Sequence, residues 1–520
     1  MKVLLVSVNR ETEPFTAAPL GLALVAQALR LAGHDVHALD LLFAEDPETE
    51  LTRAISSLSP DFVGVSIRNI ESSSRFLLPD YREVIGQIKR ETEAPVVLGG
   101  PGYSIMPEAA LEYLGADYGI AGEGEMAVPM LADALTGKTP FSKVPGLCRF
   151  EGGSYFQNPP SPLSLSPLVL PAWDLFPAKD YDMVGIQSKR GCSFSCVYCT
   201  YPGLEGREMR LRPPEEVARE MSSAIDAGLT APFYFVDNIF NNPPGHAAAV
   251  CDEIIKRGIR ASWGCLASPV GLDARLLDKM KRAGCESVEV GADSLSDRML
   301  PRLGKKFGKN EAVNAVRAAK EAGLMSLVFL LLGGPGEDGD SLKETFDALE
   351  ELQPDKVFAV AGVRIYPGTP LARLAVYEKL ISPEDTLMEP KFYVSDRLGD
   401  GLYSIAGEYF KTHPDWVCYP ANAILQGMYS DSSSRRRPDS QPKEALWDDF
   451  ALEVFEKVLL EVPALLRPIA RKAIRKKVQG AVRSGTVKAS DVKDAFLSET
   501  PRPFQGPMRE ALRKLGLADG

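Results

Sequence analysis

The chain has 520 residues, enough for three or four domains of ordinary size. Its net charge of −11 argues against a nucleic-acid-binding surface over the whole molecule, so no nucleic-acid partner is expected. No apolar run approaches the ~20 residues of a membrane span, and no signal peptide is recognisable at the start. Eight cysteines are too few for a disulfide framework in a chain of this length, so we expect a cytoplasmic protein.

Residues 1–140 alternate short apolar strands with helices. Strands are predicted at 3–8, 36–39, 62–67, 96–98 and 118–121, and helices at 20–31, 48–58, 80–90, 107–114 and 125–135. This alternation predicts an α/β domain with a doubly wound, Rossmann-like (flavodoxin-like) parallel sheet. Such a sheet binds ligands at the carboxyl ends of its strands.

The loops at those ends carry the candidate binding residues of the first domain. They are Ser66, Arg68, Asn69, Gly99, Gly100, Pro101, Gly122 and Glu123. Glycines at these positions let a bulky ligand approach the backbone closely. For Arg68, an ordinary salt bridge in a loop is an equally weighted alternative.

A proline-rich stretch at 141–177 predicts a linker, with a small hairpin near 147–156. A second alternation follows at 178–372, with strands predicted at 183–187, 233–236, 260–264, 287–291, 326–332 and 356–363. These βα units predict a partial (β/α)6 TIM-like barrel, whose functional residues belong at the C-terminal ends of its strands.

Three cysteines follow the first strand of this barrel. Cys192, Cys196 and Cys199 have the spacing C-x3-C-x2-C. Three thiolates can hold three irons of a [4Fe–4S] cluster and leave the fourth iron open. A structural zinc site needs a fourth protein ligand, and no second C-x2-C or His pair stands nearby. The motif therefore predicts an iron–sulfur cluster.

Polar or glycine residues end four further strands of the predicted barrel. They are Asp237 and Asn238, Asp293 and Ser294, Gly333 and Gly334, and Arg364. Together they favour one ligand site at this edge. Cys265 ends the predicted third strand, where a thiol could quench or relay a radical or serve as a small buried hydrophobe; the second reading is favoured.

Residues 373–520 predict a mostly helical C-terminal domain, with helices at 444–461 and 465–482. The second helix is basic. A basic amphipathic helix indicates peripheral contact with a membrane surface, nucleic acid or an acidic electron donor, or else an ordinary solvated face, which is favoured here.

The cysteine loop resembles the radical S-adenosylmethionine (SAM) signature, down to the aromatic Tyr198 before the last cysteine. Segments 19–23, 33–36, 60–66, 97–101 and 122–125 are similar to the cobalamin (B12)-binding domain that precedes the radical SAM core in one large subfamily, the class B methyltransferase-like enzymes. A Rossmann-like domain that has lost this ligand is the alternative, because fold alone does not fix a ligand.

The resemblance implies three cofactors, a [4Fe–4S] cluster, SAM and cobalamin. For SAM, it implies that Asp237 and Asn238 bind the methionyl amine, Asp293 and Ser294 the ribose, and Gly333 and Gly334 the adenine side. It also implies Tyr198 beside SAM and Arg364 at the methionine carboxylate. The Asp-x-His-x-x-Gly motif of other cobalamin proteins is absent. Cobalt should therefore lack a histidine on its lower face, which Arg68 is a candidate to cover.

The implied function is a cobalamin-dependent radical SAM methyltransferase. In such enzymes a 5′-deoxyadenosyl radical takes a hydrogen from an unactivated carbon, and methylcobalamin then delivers the methyl group. The alternative is a cobalamin-dependent radical SAM enzyme that catalyses cyclisation, rearrangement or oxidation without methylation. A tRNA methylthiotransferase and a non-catalytic cobalamin sensor fit the cysteines less well. The expected partners are a small-molecule, lipid or peptide substrate and a flavodoxin or ferredoxin-type electron donor.

Overall fold

The computed structural model describes residues 1–12, 15–72, 78–165, 169–176, 181–419, 446–482, 486–500, 505–515 and 517. The chain divides into two compact units. One comprises Met1–Thr12 and Thr16–Leu425, and the other comprises Glu13–Phe15 and Gln426–Gly520. Each unit is described by itself.

The first unit begins with a parallel sheet in the order β2-β1-β3-β4-β5. Its elements are β1 (Lys2–Ser7), α1 (Leu20–Leu31), β2 (Asp35–Asp40), α2 (Pro47–Leu58), β3 (Phe62–Ser66), α3 (Tyr81–Glu91), β4 (Val96–Gly99), α4 (Pro101–Ile105), α5 (Pro107–Leu114), β5 (Tyr118–Ile120) and α6 (Gly124–Leu135). The strands are apolar along most of their length because helices cover both faces. The doubly wound prediction is confirmed, and the strand order reverses between β1 and β3, where such sheets bind ligands.

Two antiparallel strands extend this sheet beyond β5. They are β6 (Leu147–Glu151) and β7 (Ser154–Gln157), which form a hairpin with β6 paired to β5. The predicted linker at 141–177 therefore includes two strands of the first sheet. The six prolines on which the linker prediction rests all follow this hairpin in the sequence, and two of them, Pro167 and Pro177, lie outside the described residues.

The barrel sheet has seven parallel strands in the order β8-β11-β12-β13-β14-β15-β18. The strands of this region are β8 (Val184–Ile186), β9 (Lys189–Arg190), β10 (Arg210–Leu211), β11 (Phe233–Phe235), β12 (Trp263–Ala267), β13 (Cys285–Asp293), β14 (Met325–Leu332), β15 (Lys356–Ala361), β16 (Val363–Arg364), β17 (Phe392–Tyr393) and β18 (Val417–Tyr419). The helices are α7 (Tyr201–Leu204), α8 (Pro214–Asp226), α9 (Pro244–Lys256), α10 (Ala274–Arg282), α11 (Met299–Arg302), α12 (Lys309–Glu321), α13 (Gly339–Leu352), α14 (Pro370–Tyr377) and α15 (Gly401–Lys411).

This sheet differs from the prediction in two places. The third barrel strand begins at Trp263 rather than at Arg260, because the buried run lies at 263–265. Cys265 is therefore in the middle of β12, fully buried, and its thiol lies close to Cys251 of α9 and Cys285. The structure thus supports the small-hydrophobe reading over a radical role. A seventh strand, β18, comes from beyond the predicted end of the barrel at residue 372.

The second unit is mostly helical, as predicted. It contains β19 (Leu446–Trp447), α16 (Asp449–Leu460), α17 (Arg467–Ala481), β20 (Thr486–Val487), α18 (Ala489–Glu499) and α19 (Gln505–Lys514). Basic side chains of α17 bind the unit itself: Arg471 pairs with Glu456, and Lys477 Nζ lies 3.0 Å from Glu499 Oε1. These contacts favour an ordinary solvated face for the helix. Among the described residues, every helix is too short or too polar to cross a membrane.

Candidate functional site

The cysteine loop is fixed on its first side by a tight turn. Gly191 has φ +95°, and a Cβ there would lie 2.0 Å from the Glu208 carbonyl oxygen. The amide of Cys192 donates to the Gly206 carbonyl at 3.0 Å. Only glycine fits this close approach, so the sequence Arg-Gly-Cys is a requirement of the local packing.

The second side of the loop rests on the α11–α12 connection. The amide of Val197 donates to the Leu303 carbonyl at 3.1 Å, and the amide of Leu371 donates to the Val197 carbonyl at 2.9 Å. A Cβ at Gly304 would lie 2.4 Å from the Ser195 carbonyl oxygen. The loop is therefore held by backbone contacts on both sides, which fixes the positions of its three cysteines.

The three thiols are close enough to influence one another. Burial raises the pKa of all three, that of Cys199 to about 12, and the Cys192 and Cys196 thiols raise it further. The Lys305 ammonium opposes the rise at each thiol. Within the described part of the chain, no three metal-binding side chains are close enough to share a single ion. A [4Fe–4S] cluster does not require that, because each thiolate binds a different iron. The three cysteines fit such a cluster.

Two of the predicted SAM-site residues meet beside the cysteines. The Tyr198 hydroxyl donates to Asp293, and Lys305 forms an ion pair with Asp293. Lys305 Nζ also lies 3.3 Å from the Tyr198 hydroxyl. Asp293 has φ +63° at the end of β13, a left-handed conformation that non-glycine residues adopt at a cost. Such strain is concentrated at functional sites, which supports a ligand role for this group.

The side chains of Asp237 and Asn238 bind the segments on either side of the cysteine loop. The Asp237 side chain is fully buried, accepts the Ser188 amide at 2.7 Å and pairs with Lys189 at 3.3 Å. Asn238 donates to Glu205 Oε2 at 3.0 Å, the oxygen that also accepts the Gly191 amide. The Asp237 carboxylate is thus bound within the protein, and its assignment to the methionyl amine stays a prediction.

The Gly333-Gly334 turn is closed by a carboxyl group of its own segment. Glu337 is fully buried and its Oε2 accepts the amides of Gly333 and Gly334. Burial raises the pKa of Glu337 to about 7. These amides are therefore occupied, and the adenine-side role of the turn stays a prediction. Ser294 lies underneath, where its hydroxyl is 3.3 Å from that of Thr345.

Arg364 binds the first domain. Its Nε donates to Glu71 Oε1 at 2.9 Å, and its Nη2 donates to Glu71 Oε2 at 2.9 Å. Both side chains are buried. The remaining contacts go to the Ile365 and Leu387 carbonyls. The Tyr366 hydroxyl also donates to Glu71, at 2.8 Å. Arg364 therefore connects the barrel to the first domain, and its role at the methionine carboxylate stays a prediction.

Glu123 makes a second connection between the two domains. It pairs with Arg210 at 2.5 Å and lies 3.5 Å from Arg190, which also pairs with Glu125. Burial alone would raise the pKa of Glu123, but the two arginines outweigh it and lower the pKa. Arg190 directly precedes the cysteine loop. Glu123 thus connects the loop after β5 to the residues beside the cysteine loop, and its role in cofactor binding stays a prediction.

The glycines after β4 divide into two kinds. A Cβ at Gly100 would lie 2.5 Å from the Ile67 carbonyl oxygen, and one at Gly102 would lie 2.7 Å from the Ile70 amide nitrogen. These two glycines are needed for packing loop against loop. At Gly99 a Cβ would meet nothing within 4 Å, so this backbone faces open space. Pro101 begins α4, and Gly122 donates its amide to the Ser104 hydroxyl at 3.0 Å.

The switch point between β1 and β3 carries one buried polar atom without a partner in the described part of the chain, and an arginine. Asn9 is buried and its side-chain oxygen has no hydrogen-bond partner among the described residues. Burial lowers the pKa of Arg68, and no described residue forms a hydrogen bond or ion pair with it. Ser66 ends β3, and the Asn69 carbonyl accepts the Tyr81 hydroxyl at 3.0 Å. A corrin with amide side chains fits such an edge, since it brings donors and acceptors.

Histidines are placed away from this edge in the first domain. His34 precedes β2 at the amino end of the sheet, where its Nδ1 lies 3.4 Å from the N-terminal nitrogen. His37 lies within β2 and contacts Asp35 at 3.2 Å. Neither position reaches the loops at the carboxyl ends, which is consistent with the predicted absence of an axial histidine.

Several site residues were not predicted. They are Glu71, Glu125, Glu205, Lys305 and Glu337. Glu71 and Glu125 bind partners that are 293 and 65 residues away in the sequence, so spacing gives no signal for these two. The pattern Gly122-Glu123-Gly124-Glu125 held a local hint, because two carboxylates on a buried loop require cationic partners. Glu337 had one too, because it belongs to the Gly-Gly-Pro-Gly-Glu turn whose amides it accepts.

Two family models match this arrangement. Residues 6–132 match the B12 binding domain and residues 186–349 match the Radical SAM superfamily. The chain therefore belongs to the radical SAM enzymes that carry a B12-binding domain, and it is a B12-dependent radical SAM enzyme. Its cofactors are a [4Fe–4S] cluster, SAM and cobalamin.

Similar proteins include methyltransferases and a cyclase. An uncharacterized methyltransferase of Pyrococcus horikoshii is 27% identical over 420 residues, which cover 76% of this chain and 90% of that protein. The anaerobic magnesium-protoporphyrin IX monomethyl ester cyclase of Rubrivivax gelatinosus is 24% identical over 65% of this chain and 62% of its own length. The radical SAM methyltransferase TsrM of Kitasatospora setae, solved with cobalamin and a [4Fe–4S] cluster, has a TM-score of 0.70 at 25% identity, over 82% and 94% of the chains.

Proposed function

We propose that this protein is a methyltransferase that adds a methyl group to an unactivated carbon of a small molecule, a lipid or a peptide. The observation that carries the proposal is the contact between the candidate ligand-binding loops of the first sheet and those of the barrel sheet. Loops at the carboxyl ends of the first sheet bind the carboxyl-end loops of the barrel, through Glu71 and Arg364 and through Glu123, Arg190 and Arg210. Direct transfer between two cofactors requires this proximity.

The loops of the barrel carry residues suited to the cluster and SAM, and the loops of the first sheet carry residues suited to cobalamin. The three cysteines hold the cluster, while Tyr198, Asp293 and Lys305 present hydrogen-bonding groups beside it. Because Arg364 is committed to Glu71, we propose Lys305 for the methionine carboxylate and Asp293 for the ribose hydroxyls. Arg68, Asn9 and Gly99 would hold cobalamin at the carboxyl edge of the first sheet, where Arg68 would face it in place of a histidine.

When bound, the cluster and SAM supply radical chemistry and cobalamin supplies the methyl group. The protein orients these groups and excludes water from the space between the two sheets. The relatives that are methyltransferases support this reading. A non-methylating cyclisation, rearrangement or oxidation is the second candidate, supported by the cyclase among the relatives.

Anaerobic turnover with isotopically labelled SAM tests the proposal. With the true substrate, mass spectrometry should show the gain of one labelled methyl group, and 5′-deoxyadenosine and S-adenosylhomocysteine should form in near-equal amounts. Altered substrate with 5′-deoxyadenosine but no S-adenosylhomocysteine would replace methylation by the second candidate. Protein with all three cysteines changed to alanine should hold no cluster; full iron content in that variant would contradict the assignment of the loop.

Asp293→Ala tests the SAM edge separately. We expect a loss of about a hundredfold in 5′-deoxyadenosine formation, the cost of a displacement of about 1 Å at a reacting centre. Asp278→Ala, on the exposed face of α10, is the matched control. Equal rates for the two variants would remove Asp293 from the site.

We also propose a flavodoxin or ferredoxin-type donor as the source of the reducing electron, in a reducing cytoplasm. All eight cysteines are unpaired, which supports a reducing compartment.

A further inference from the structure

One face of the barrel sheet borders open space. Register partners in a parallel sheet share a face, and Leu266 pairs with Glu289 while Phe329 pairs with Phe358. The side chains on this inner face are half-buried, whereas their neighbours along the strands, such as Val288 and Val290, are fully buried. The inner face includes Tyr234, Leu266, Glu289, Phe329, Phe358 and Val360.

This face combines aromatic walls with one carboxyl group. The rings of Phe329 and Phe358 stack at 5.5 Å. The Tyr234 hydroxyl donates to Glu289 Oε2, and no described residue donates to the other oxygen, Oε1. One oxygen of this half-buried carboxyl group therefore has no hydrogen-bond donor among the described residues, and burying a polar atom without a partner is costly. Neither residue is among those assigned above to the cluster, SAM or cobalamin.

We propose that Glu289 and Tyr234 recognise the substrate's ammonium group, and that the substrate is an aromatic amine whose ring lies against Phe329 and Phe358. The spacing of the strands agrees with the length of such an amine. β13 and β15 are two strands apart, roughly 10 Å at the usual strand spacing, which an aromatic ring with a two-carbon amine spans. This inference rests on the proposed function, because it names the substrate class for the same barrel.

The charge of Glu289 gives the proposal a pH signature. Burial raises the pKa of Glu289 to about 7, although the Tyr234 hydrogen bond opposes the rise. An ammonium ligand requires the carboxylate, so its affinity should increase as the pH rises through about 7 and then level off. The other titratable or charged groups near this face are Tyr234, Tyr201, Cys265, Asp293 paired with Lys305, and Lys356 paired with Asp415.

Calorimetric titration of the holoenzyme with 2-phenylethylamine tests this inference. Affinity should rise about tenfold between pH 6 and pH 8, the change in the charged fraction of a group with a pKa of 7. Glu289→Gln should abolish this pH dependence and weaken binding at pH 8 at least tenfold, because a charge-assisted hydrogen bond is lost. Tyr234→Phe should move the midpoint to higher pH. Glu286→Gln, at the start of the same strand and bound by Ser262, is the matched control and should behave as wild type.

The neutral analogue 2-phenylethanol should show no pH dependence. Absence of amine binding, pH-independent binding, or equal losses in Glu289→Gln and Glu286→Gln would overturn the inference. These results would leave the proposed function standing, provided that the holoenzyme still cleaves SAM and yields both nucleoside products with its true substrate. If the amine binds as expected but no methyl group is transferred, the result contradicts the proposed function and leaves the recognition of the amine standing.

Discussion

Removing Glu71 should destabilise the protein far more than removing an exposed carboxylate. In the Glu71–Arg364 pair the two side chains are 5% and 6% exposed, and Glu71 also accepts the Tyr366 hydroxyl. Breaking such a buried pair by removing one partner costs about 3–5 kcal/mol, because the other charge stays buried. Asp174 pairs with Arg30 at side-chain exposures of 66% and 32%, and the loss of such an exposed pair costs less than about 1 kcal/mol.

The assay is thermal unfolding of Glu71→Ala and Asp174→Ala beside wild type. For domains of 150–250 residues each kcal/mol shifts Tm by about 2–4 °C, so Glu71→Ala should lower the first transition by at least about 6 °C. The double variant Glu71→Leu/Arg364→Met should lose less than Glu71→Ala, since it leaves no unpaired charge. A Glu71→Ala transition within 1 °C of wild type, or a double variant that loses the sum of the two single changes, would refute this reasoning.

Two further predictions concern the first sheet and the barrel. Gly100→Ala should destabilise the protein, because its Cβ would lie 2.5 Å from the Ile67 carbonyl oxygen. Gly99→Ala should fold as wild type but retain less hydroxocobalamin after gel filtration. If Gly99→Ala retains all of its hydroxocobalamin, the Gly99 backbone does not contact cobalamin. Burial raises the pKa of Glu337 to about 7 in the folded protein, above its ordinary value of 4.5. Protonated Glu337 therefore stabilises the folded state fully below about pH 4.5, and this stabilisation is lost as the pH rises through 7. Unfolding free energy should therefore fall by about 3 kcal/mol over this window relative to Glu337→Gln, and parallel pH profiles of the two proteins would contradict the assignment.

The sequence was sufficient for most of the architecture because strand burial is local information. Apolar runs such as those of β1 and β14 could only be buried strands, and the helices between them required parallel pairing. The β12 boundary was missed because Arg260 and Ala261 lie close to an apolar run without belonging to it. The hairpin β6–β7 was read as part of a linker because its pairing with β5 depends on distant backbone groups.

The candidate site was predicted where chemistry is local and missed where it depends on long-range partners. The cysteine loop is one continuous motif, and Tyr198 and Asp293 do meet beside it. The partners of Arg364 and Glu123, which are Glu71 and Arg210, could not be predicted because each pair is far apart in the sequence. Glu289 sits in the middle of a strand, and its only signal was a carboxylate alternating with valines.

The pairing of β18 with β15 affects how this protein may be divided into fragments. Residues 417–419 align with Phe358, Ala359 and Val360. A fragment that ends where the βα alternation stops would leave the main-chain donors and acceptors of β15 unpaired along an apolar edge, which is a template for aggregation. Expression of the catalytic portion should therefore extend through Tyr419, even though no cofactor-binding motif lies in the last forty residues of that stretch.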